Sequence, residues 1–297
     1  ALGIAVQTDM ATPAIAIHGS DYLKEKYLMP AIKGEVITSV AVSEPGAGSD
    51  VARIKTSAKL DGDEYVINGT KTYITNGTQA DWICLLAKTS DEPGYKGMSL
   101  FIVPTNVEGF SRGKTLRKTC YPSSDTAELH FTNVRIPKEN LIGSEGRGFQ
   151  QQMEQFQLER LAGVFLGLGS LKRAYELTRK YVRERSVFGK KLLDWQITKY
   201  KLADLAANIT MFESFAHRCV AMANKGMDVT REVSMLKLAG ADIMLRGTEE
   251  CVQIHGGAGL MQEYEVSRYY RDAKLLTIGG GTSEIMKEII IKTDGLE

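Results

Sequence analysis

The chain has 297 residues, 43% of them hydrophobic and 25% charged, with a formal net charge of +1. That length allows a sizeable core and about two domains. The missing basic tract argues against a protein built to bind nucleic acid, and no apolar run is long enough to span a membrane. Cys84, Cys120, Cys219 and Cys251 are scattered without a CxxC pair, and His18, His130, His217 and His255 form no ligand cluster. No metal site or disulfide framework is expected, and a reducing compartment fits.

Residues 1 to about 30 read as helical, with Ser20-Asp21 capping a short segment that stops at Pro30. The N-terminus shows no signal or transit pattern and opens in mid-pattern, as an internal start would. From about Glu35 to Pro137 the pattern turns to β. Val36–Val42 is a β-branched run ending at Glu44-Pro45-Gly46. Asp61-Gly62 and Asn68-Gly69 are turn signals bracketing a strand at Glu64–Ile67, and a further strand at Lys71–Thr75 ends at Asn76-Gly77. Trp82–Ala87, Ser99–Val103 and Glu128–Phe131 continue the series. Many short strands without alternating helices predict an antiparallel, barrel-like sandwich and disfavour a dinucleotide-binding α/β fold.

After Gly146-Arg147-Gly148 the period becomes helical. Leu161, Val164, Leu168, Leu171, Tyr175 and Val182 share one face. Leu202, Leu205, Ile209, Phe212 and Ala216 mark a second helix, and Met235, Leu238, Ala241, Leu245 and Val252 a third. Arg271–Leu276 ends a helix before Gly279-Gly280-Gly281, and Thr282 or Ser283 caps a shorter one. The fold class predicted is α+β, a β-domain followed by a C-terminal four-helix bundle. The expected domains are a helical remnant at 1–34, a middle β-domain at 35–145 and the bundle at 146–297.

Several stretches could carry chemistry. In Ser43–Asp50 the glycines bring main-chain donors close to a surface and Ser49 adds a hydroxyl; a plain β-turn with an Asx cap reads equally well. Tyr73 and Thr75 alternate on one strand face, suited to a flat ligand or simply to a core. Arg185 lies where a helix ends, as pyrophosphate partner or dipole partner. His255, beside Gly256-Gly257, reads as a cap or packed ring. Gly163, Gly167 and Gly169 fall within a helical apolar period and read as close helix packing. Glu159, among Phe156, Leu158 and Leu161, is either a base with a raised pKa or a solvated carboxylate. The glycine crossing exposes backbone N–H groups at a helix start, a favourable place for developing negative charge.

Taken together, SEPGAGSD at 43–50, YITNG at 73–77, SDTAEL at 124–129, RERSVFGK at 183–190, CVQIHGGAG at 251–259 and RDAKLLTIGGGTSEI at 271–285 resemble the acyl-CoA dehydrogenase family across essentially the whole chain. The resemblance implies FAD as cofactor, a homotetramer arranged as a dimer of dimers, and α,β-dehydrogenation of an acyl-CoA with electrons passed to electron-transfer flavoprotein. It implies a mitochondrial matrix enzyme in a eukaryote or a cytoplasmic one in a bacterium, with any targeting segment outside this chain. It further implies about a hundred additional N-terminal residues of helical domain. Carried over by motif, Val42, Ser43, Gly48, Ser49, Tyr73 and Thr75 lie along the flavin. Arg185, Phe188, Gln196, Gln253 and Gly257 reach the FAD of a neighbouring subunit, and Thr282 and Glu284 hold its phosphate and adenosine side. Substrate contacts fall to Ser49, Phe156, Arg160, Gly279 and Gly280.

One position departs from the commonest family pattern. Many members place the catalytic Glu immediately before the Gly-Thr of the glycine crossing, where this chain has Gly280. The isovaleryl-CoA and long-chain branches instead carry the base on the first bundle helix, at the position of Glu159. The expected roles are therefore Glu159 as α-proton base and the Gly280 N–H as donor to the thioester oxygen, with hydride leaving to flavin N5. Rival readings are an acyl-CoA oxidase or desulfinase-like relative, and a non-catalytic flavin- or acyl-CoA-binding paralogue. A smaller oddity is Cys120-Tyr121-Pro122, where many relatives have Gly-Met-Arg or a similar run.

Overall fold

The computed structural model describes residues 2–296. The chain separates into two compact units, one of Ala1–Lys118 with Pro122–Glu159, the other of Thr119–Tyr121 with Arg160–Glu297.

The first unit opens with short helices, α1 (Leu2–Ala5), α2 (Pro13–His18), α3 (Asp21–Leu23) and α4 (Met29–Lys33), joined by wider π-type turns over Val6–Ala11 and Lys24–Leu28. The helical stretch does not stop at Pro30. Proline there occupies the first turn of α4, where its missing N–H costs nothing, and the end comes at Gly34 in the left-handed region, φ 73°. The strands are β1 (Thr38–Ala41), β2 (Ser57–Asp61), β3 (Glu64–Thr75), β4 (Trp82–Lys88), β5 (Met98–Pro104), β6 (Phe110–Thr115), β7 (Thr126–Pro137) and β8 (Leu141–Ile142). They form an eight-stranded, mostly antiparallel sheet in the order β6-β7-β3-β2-β4-β5-β8, with β1 parallel to β4.

Strands β4 and β5 are buried on both faces, alternate residues serving two different cores. Trp82, Cys84 and Leu86 of β4, with Met98, Leu100 and Ile102 of β5, face the core that holds the N-terminal helices. Their neighbours Ile83, Leu85, Ala87, Phe101 and Val103 face the opposite core, closed by Tyr65, Ile67, Leu129, Phe131 and Val134. Each fully buried aliphatic side chain contributes about 1.5–3 kcal/mol.

Asn68-Gly69 is not a turn. The chain runs through it as part of the single strand β3, with a register shift between Ile67 and Gly69. A side chain at Gly69 would stand 2.4 Å from Thr56 Oγ1, so the glycine answers a close strand approach rather than a reversal.

The second unit contains most of α5 (Gly148–Glu184), which begins in the first unit. After a small hairpin of β9 (Ser186–Val187) and β10 (Lys190–Lys191) come α6 (Gln196–Ala223), α7 (Thr230–His255), α8 (Val266–Leu276) and α9 (Ser283–Thr293). The faces expected on α5 and α6 are buried as the period predicts, with Leu161, Val164, Leu168 and Leu171 against Ile209, Phe212 and Ala216. On α7 the buried stripe is rotated. It runs Val233, Leu236, Lys237, Gly240, Ala241, Met244, Gly247, Thr248 and Cys251, not through Met235, Leu238 and Leu245. Side chains at Gly240 and Gly247 would meet Phe212 and Leu171 at 2.2 Å and 2.7 Å. Small residues admit close helix contact, and a hydropathy period does not register them.

Candidate active site

In the first unit the candidate cofactor face is built on a buried ion pair. Lys71, fully sealed from solvent, donates from Nζ to the Val42 carbonyl at 2.8 Å and to Glu44 Oε1 at 2.9 Å. The Glu44 carboxylate also accepts from the backbone N–H groups of Lys55, at 2.6 Å, and Thr56, at 3.0 Å. Burial works against the Glu44 charge, but Lys71 and the hydrogen bonds from Thr56 and Lys55 overcome it and hold its pKa below the ordinary carboxylate value. Burial pulls Lys71 down to about 8, with Glu44 opposing the shift. The turn at 44–47 is closed by paired bonds between Glu44 and Ala47, and Thr72 N–H donates to the Ser43 carbonyl at 3.0 Å.

That staple holds Val42, Ser43, Gly48 and Ser49 beside the end of β3. A side chain at Gly46 or Gly48 would meet no atom within 4 Å, so packing does not demand glycine there; the bare backbone leaves a surface open to a ligand. Between Lys71 and Ile74 the register with β7 slips. Tyr73 takes φ 62° and turns its ring outward, 72% exposed, while the next residue, Ile74, is buried and Thr75 half-buried. A bulky residue in the left-handed region carries strain, and strain of this kind gathers at functional positions. The stretch is clamped from behind: Ser39 Oγ donates to the Thr75 carbonyl at 2.6 Å, and Asn76 Nδ2 donates to the carbonyls of Thr38 and Gly3 at 3.0 Å and 2.9 Å. Asp125 accepts from Thr78 N–H and hydroxyl and from Gln79; although burial opposes its charge, these bonds lower its pKa. Phe156 packs on the apolar core of this unit, and Glu159 is half-buried on α5.

In the second unit the glycine crossing links α8 to α9. Thr282 is the N-cap, its hydroxyl accepting from Ile285 N–H at 3.3 Å. Glu284 is exposed, its carboxyl held low first by its own backbone N–H and then by Thr282. Gly280 and Gly281 take φ 66° and 102°. Arg160, expected against substrate, is buried and donates from Nε to the Gly280 carbonyl at 3.0 Å. Lys237 donates to the carbonyls of Leu276, at 3.0 Å, and Gly281. The N–H groups of Gly280, Gly281 and Thr282 make no hydrogen bond among the described residues. Carbonyls are thus drawn inward and consecutive donors left available at a helix start, an arrangement that suits an oxyanion or phosphate.

The remaining candidates on this unit divide by exposure. Phe188 and Gly189, φ 48° and 79°, form the two-residue turn of the β9–β10 hairpin, and the Phe188 ring is 95% exposed. Arg185 precedes that hairpin and its carbonyl accepts from Leu192 N–H at 2.8 Å. Gln196 opens α6 beside Tyr200; Gln253 and Gly257 are exposed at the end of α7, with open space where a Gly257 side chain would stand. His255 is a packed ring, stacked on Tyr181 at 4.3 Å with Nδ1 at 2.7 Å from the Cys251 carbonyl, and burial lowers its pKa. In the unusual Cys120-Tyr121 segment, Tyr121 N–H donates to buried Asp272 at 2.6 Å, and burial with Asp272 pushes the phenol up to about 12.

On the first unit an exposed aromatic ring and uncovered glycine backbone suit a flat ligand, and on the second a helix-start cluster of N–H groups and an exposed guanidinium suit phosphate, the two chemistries of the FAD that the resemblance implies. Sequence reasoning missed Lys71, Glu44, Lys237 and Asp272. No local signal marked Lys237, because the apolar period read on this helix ran through Met235 and Leu238 and left position 237 off the expected buried face.

Family models for the acyl-CoA dehydrogenase middle domain and C-terminal domain match residues 39–134 and 146–293. The chain is 37% identical over 293 residues to the long-chain specific, mitochondrial acyl-CoA dehydrogenase of Rattus norvegicus, covering 98% of this chain and 68% of that one. It superposes on an acyl-CoA dehydrogenase from Geobacillus kaustophilus with TM-score 0.96 at 40% identity, covering 98% and 77% of the two chains. A glutaryl-CoA dehydrogenase from Mycobacterium smegmatis in complex with FADH2 matches with TM-score 0.94 at 29% identity, covering 100% and 75%. With identity of this level over nearly the full chain, on the fold and motifs described above, the chain belongs to the acyl-CoA dehydrogenase family of oxidoreductases.

Proposed function

We propose that this flavoenzyme, whose cofactor is FAD, oxidises an acyl-CoA thioester to the trans-2-enoyl-CoA with Glu159 as the base. The observation that carries the reading is at the glycine crossing. Among the described residues nothing accepts from the Gly280 N–H, and position 280 carries no carboxylate, while the chain carries Glu159 on α5.

The α-C–H of a thioester is too weak an acid for a carboxylate unless the developing enolate is stabilised. The Gly280 N–H donates to the thioester oxygen, a role that needs no side chain and survives glycine. Losing such a donor costs roughly 3–4 kcal/mol. Glu159 accepts the α-proton. When bound, FAD supplies the redox chemistry, an acceptor for the β-hydrogen with its electron pair. Val42, Ser43, Gly48, Ser49, Tyr73 and Thr75 flank it; Thr282 and Glu284 serve its phosphate and adenosine side. Arg185, Phe188, Gln196, Gln253 and Gly257 serve a neighbouring copy in a homotetramer, and electrons pass to electron-transfer flavoprotein. Ser49, Phe156, Gly279 and Gly280 contact the acyl-CoA, and Arg160 supports that contact through the Gly280 carbonyl.

Anaerobic bleaching of the flavin by short, branched and long acyl-CoAs tests the reaction and reads the acyl preference. Glu159→Gln is expected to retain FAD and lose bleaching by about 10²–10⁴-fold. A Glu159→Gln protein that bleaches at the wild-type rate removes Glu159 from the role. Rapid reoxidation by oxygen instead favours an oxidase.

A further inference from the structure

The glycine crossing is closed by a lysine that lies outside the motifs and the cofactor face described above. Lys237 lies on the buried stripe of α7, 2% exposed, and its Nζ reaches the carbonyl of Leu276, the last residue of α8, and the carbonyl of Gly281, just before α9. One ammonium therefore clasps both ends of the loop 277–281. A second tie runs across the same loop, with Ser283 N–H donating to the Thr277 carbonyl at 3.0 Å.

Three consecutive glycines are the residues least able to hold a conformation by themselves. Their order has to come from their hydrogen bonds. In a planar trans peptide the C=O and N–H point in opposite directions, so fixing a carbonyl aims the amide of the same unit. Arg160 fixes the unit that joins Gly280 to Gly281, and Lys237 fixes the next one. With both held, the turn at Gly281, φ 102°, is set, and with Leu276 held at the other end the short glycine stretch that carries the Gly280 N–H is confined between fixed points.

We propose that Lys237 is a positioning residue for the reaction: by holding the Leu276 and Gly281 carbonyls it confines the glycine loop between them and so keeps the Gly280 N–H in place for the thioester oxygen. This rests on the function proposed above. In this role Lys237 works through the backbone of the crossing rather than on substrate or cofactor. Methionine, of similar length but with no charge and no donor, releases both carbonyls and lets the glycine loop relax.

The test is the C=O stretching band of a carbonyl-13C-labelled enoyl-CoA, compared free and bound to the full-length, FAD-loaded enzyme. Flavin content and thermal unfolding are measured on the same samples. Wild type is expected to lower the band on binding, because aimed donors polarise the carbonyl. Lys237→Met is expected to keep FAD and lose most of that lowering. Its kcat should fall about 10- to 100-fold, part of the loss of a whole donor, with KM within about threefold. Lys237→Arg, which keeps charge and donors, should recover part of both. A Lys237→Met enzyme with the full wild-type band shift overturns the role of Lys237 alone, whereas a wild-type enzyme with no shift overturns the Gly280 donor and Lys237 together. If Lys237→Met does not fold, Lys237→Gln decides: a reduced shift supports the proposal, and an undiminished one overturns it.

Discussion

Lys71 and Lys237 are both sealed from water, one in each unit, yet they hold the chain in different ways. Lys71 meets a carboxylate. Glu44 neutralises it and uses its other lone pairs on two backbone N–H groups, so a charge pair pins the turn that carries Ser43 and Gly48. Lys237 meets carbonyl dipoles at the end of one helix and the threshold of the next. Removing Lys71 strands a full negative charge; removing Lys237 releases the two neutral carbonyls it holds. The first costs about 3–5 kcal/mol and the second about 1–3 kcal/mol for each released carbonyl. A charge pair serves where a loop must not move at all. A lysine donor on carbonyls serves where the orientation of individual peptides matters.

The largest expected effect follows directly. Lys71→Met should destabilise the protein by about 3–5 kcal/mol in urea unfolding, and adding Glu44→Leu should recover most of the loss, because the stranded carboxylate is then gone. A double variant no more stable than the single one breaks the comparison, since the cost would then lie in packing and not in charge.

The same double variant, used as reference, isolates the pH dependence of the pair. Glu44 has a folded pKa below its ordinary 4.5, so its contribution is present above about pH 4.5 and is lost as pH falls through the lower folded value. Lys71 has a folded pKa of about 8 against 10.5. Between those values the unfolded chain binds more protons, so wild-type stability relative to the double variant should rise with pH. Unfolding midpoints of the two proteins from pH 3 to 10.5 check both signs. A flat difference across either window removes the corresponding shift.

Both kinds of site architecture were only half legible in the sequence. The apolar run of β4, the apolar period of α5 and α6 and the Thr282 cap are local patterns, and they gave the fold class directly. Partners far apart in the chain are a different matter. Lys71 and Glu44 lie 27 residues apart, and Lys237 lies 39 and 44 residues from the carbonyls it holds. No local rule pairs them. Tyr73 was visible as an aromatic on a strand, but the slip that turns it outward depends on the register with β7. At Asn68-Gly69 a true local turn signal was overridden by the close approach of Thr56. On α7 a lysine and two glycines hid the buried face from a reading that weighs hydrophobicity alone.

The smallest effect sharpens a second contrast between the units, that of Tyr73 and Phe188. Each is a bulky aromatic held at positive φ with its ring in solvent, one at a slip in a long strand, the other in a two-residue hairpin turn. Asparagine tolerates the left-handed region far better, and in a hairpin turn followed by glycine it is the favoured residue. Phe188→Asn should therefore stabilise the chain by about 0.5–1 kcal/mol, while Tyr73→Asn, which also alters contacts beside the slip, should gain less. If the rings serve the cofactor as proposed, both variants should bind FAD more weakly, read as flavin released on dilution. The loss in Phe188→Asn should also depend on protein concentration, since that ring is assigned to a neighbouring copy. A Phe188→Asn protein that is more stable and holds flavin as wild type does would show that this strained ring is not kept for the cofactor.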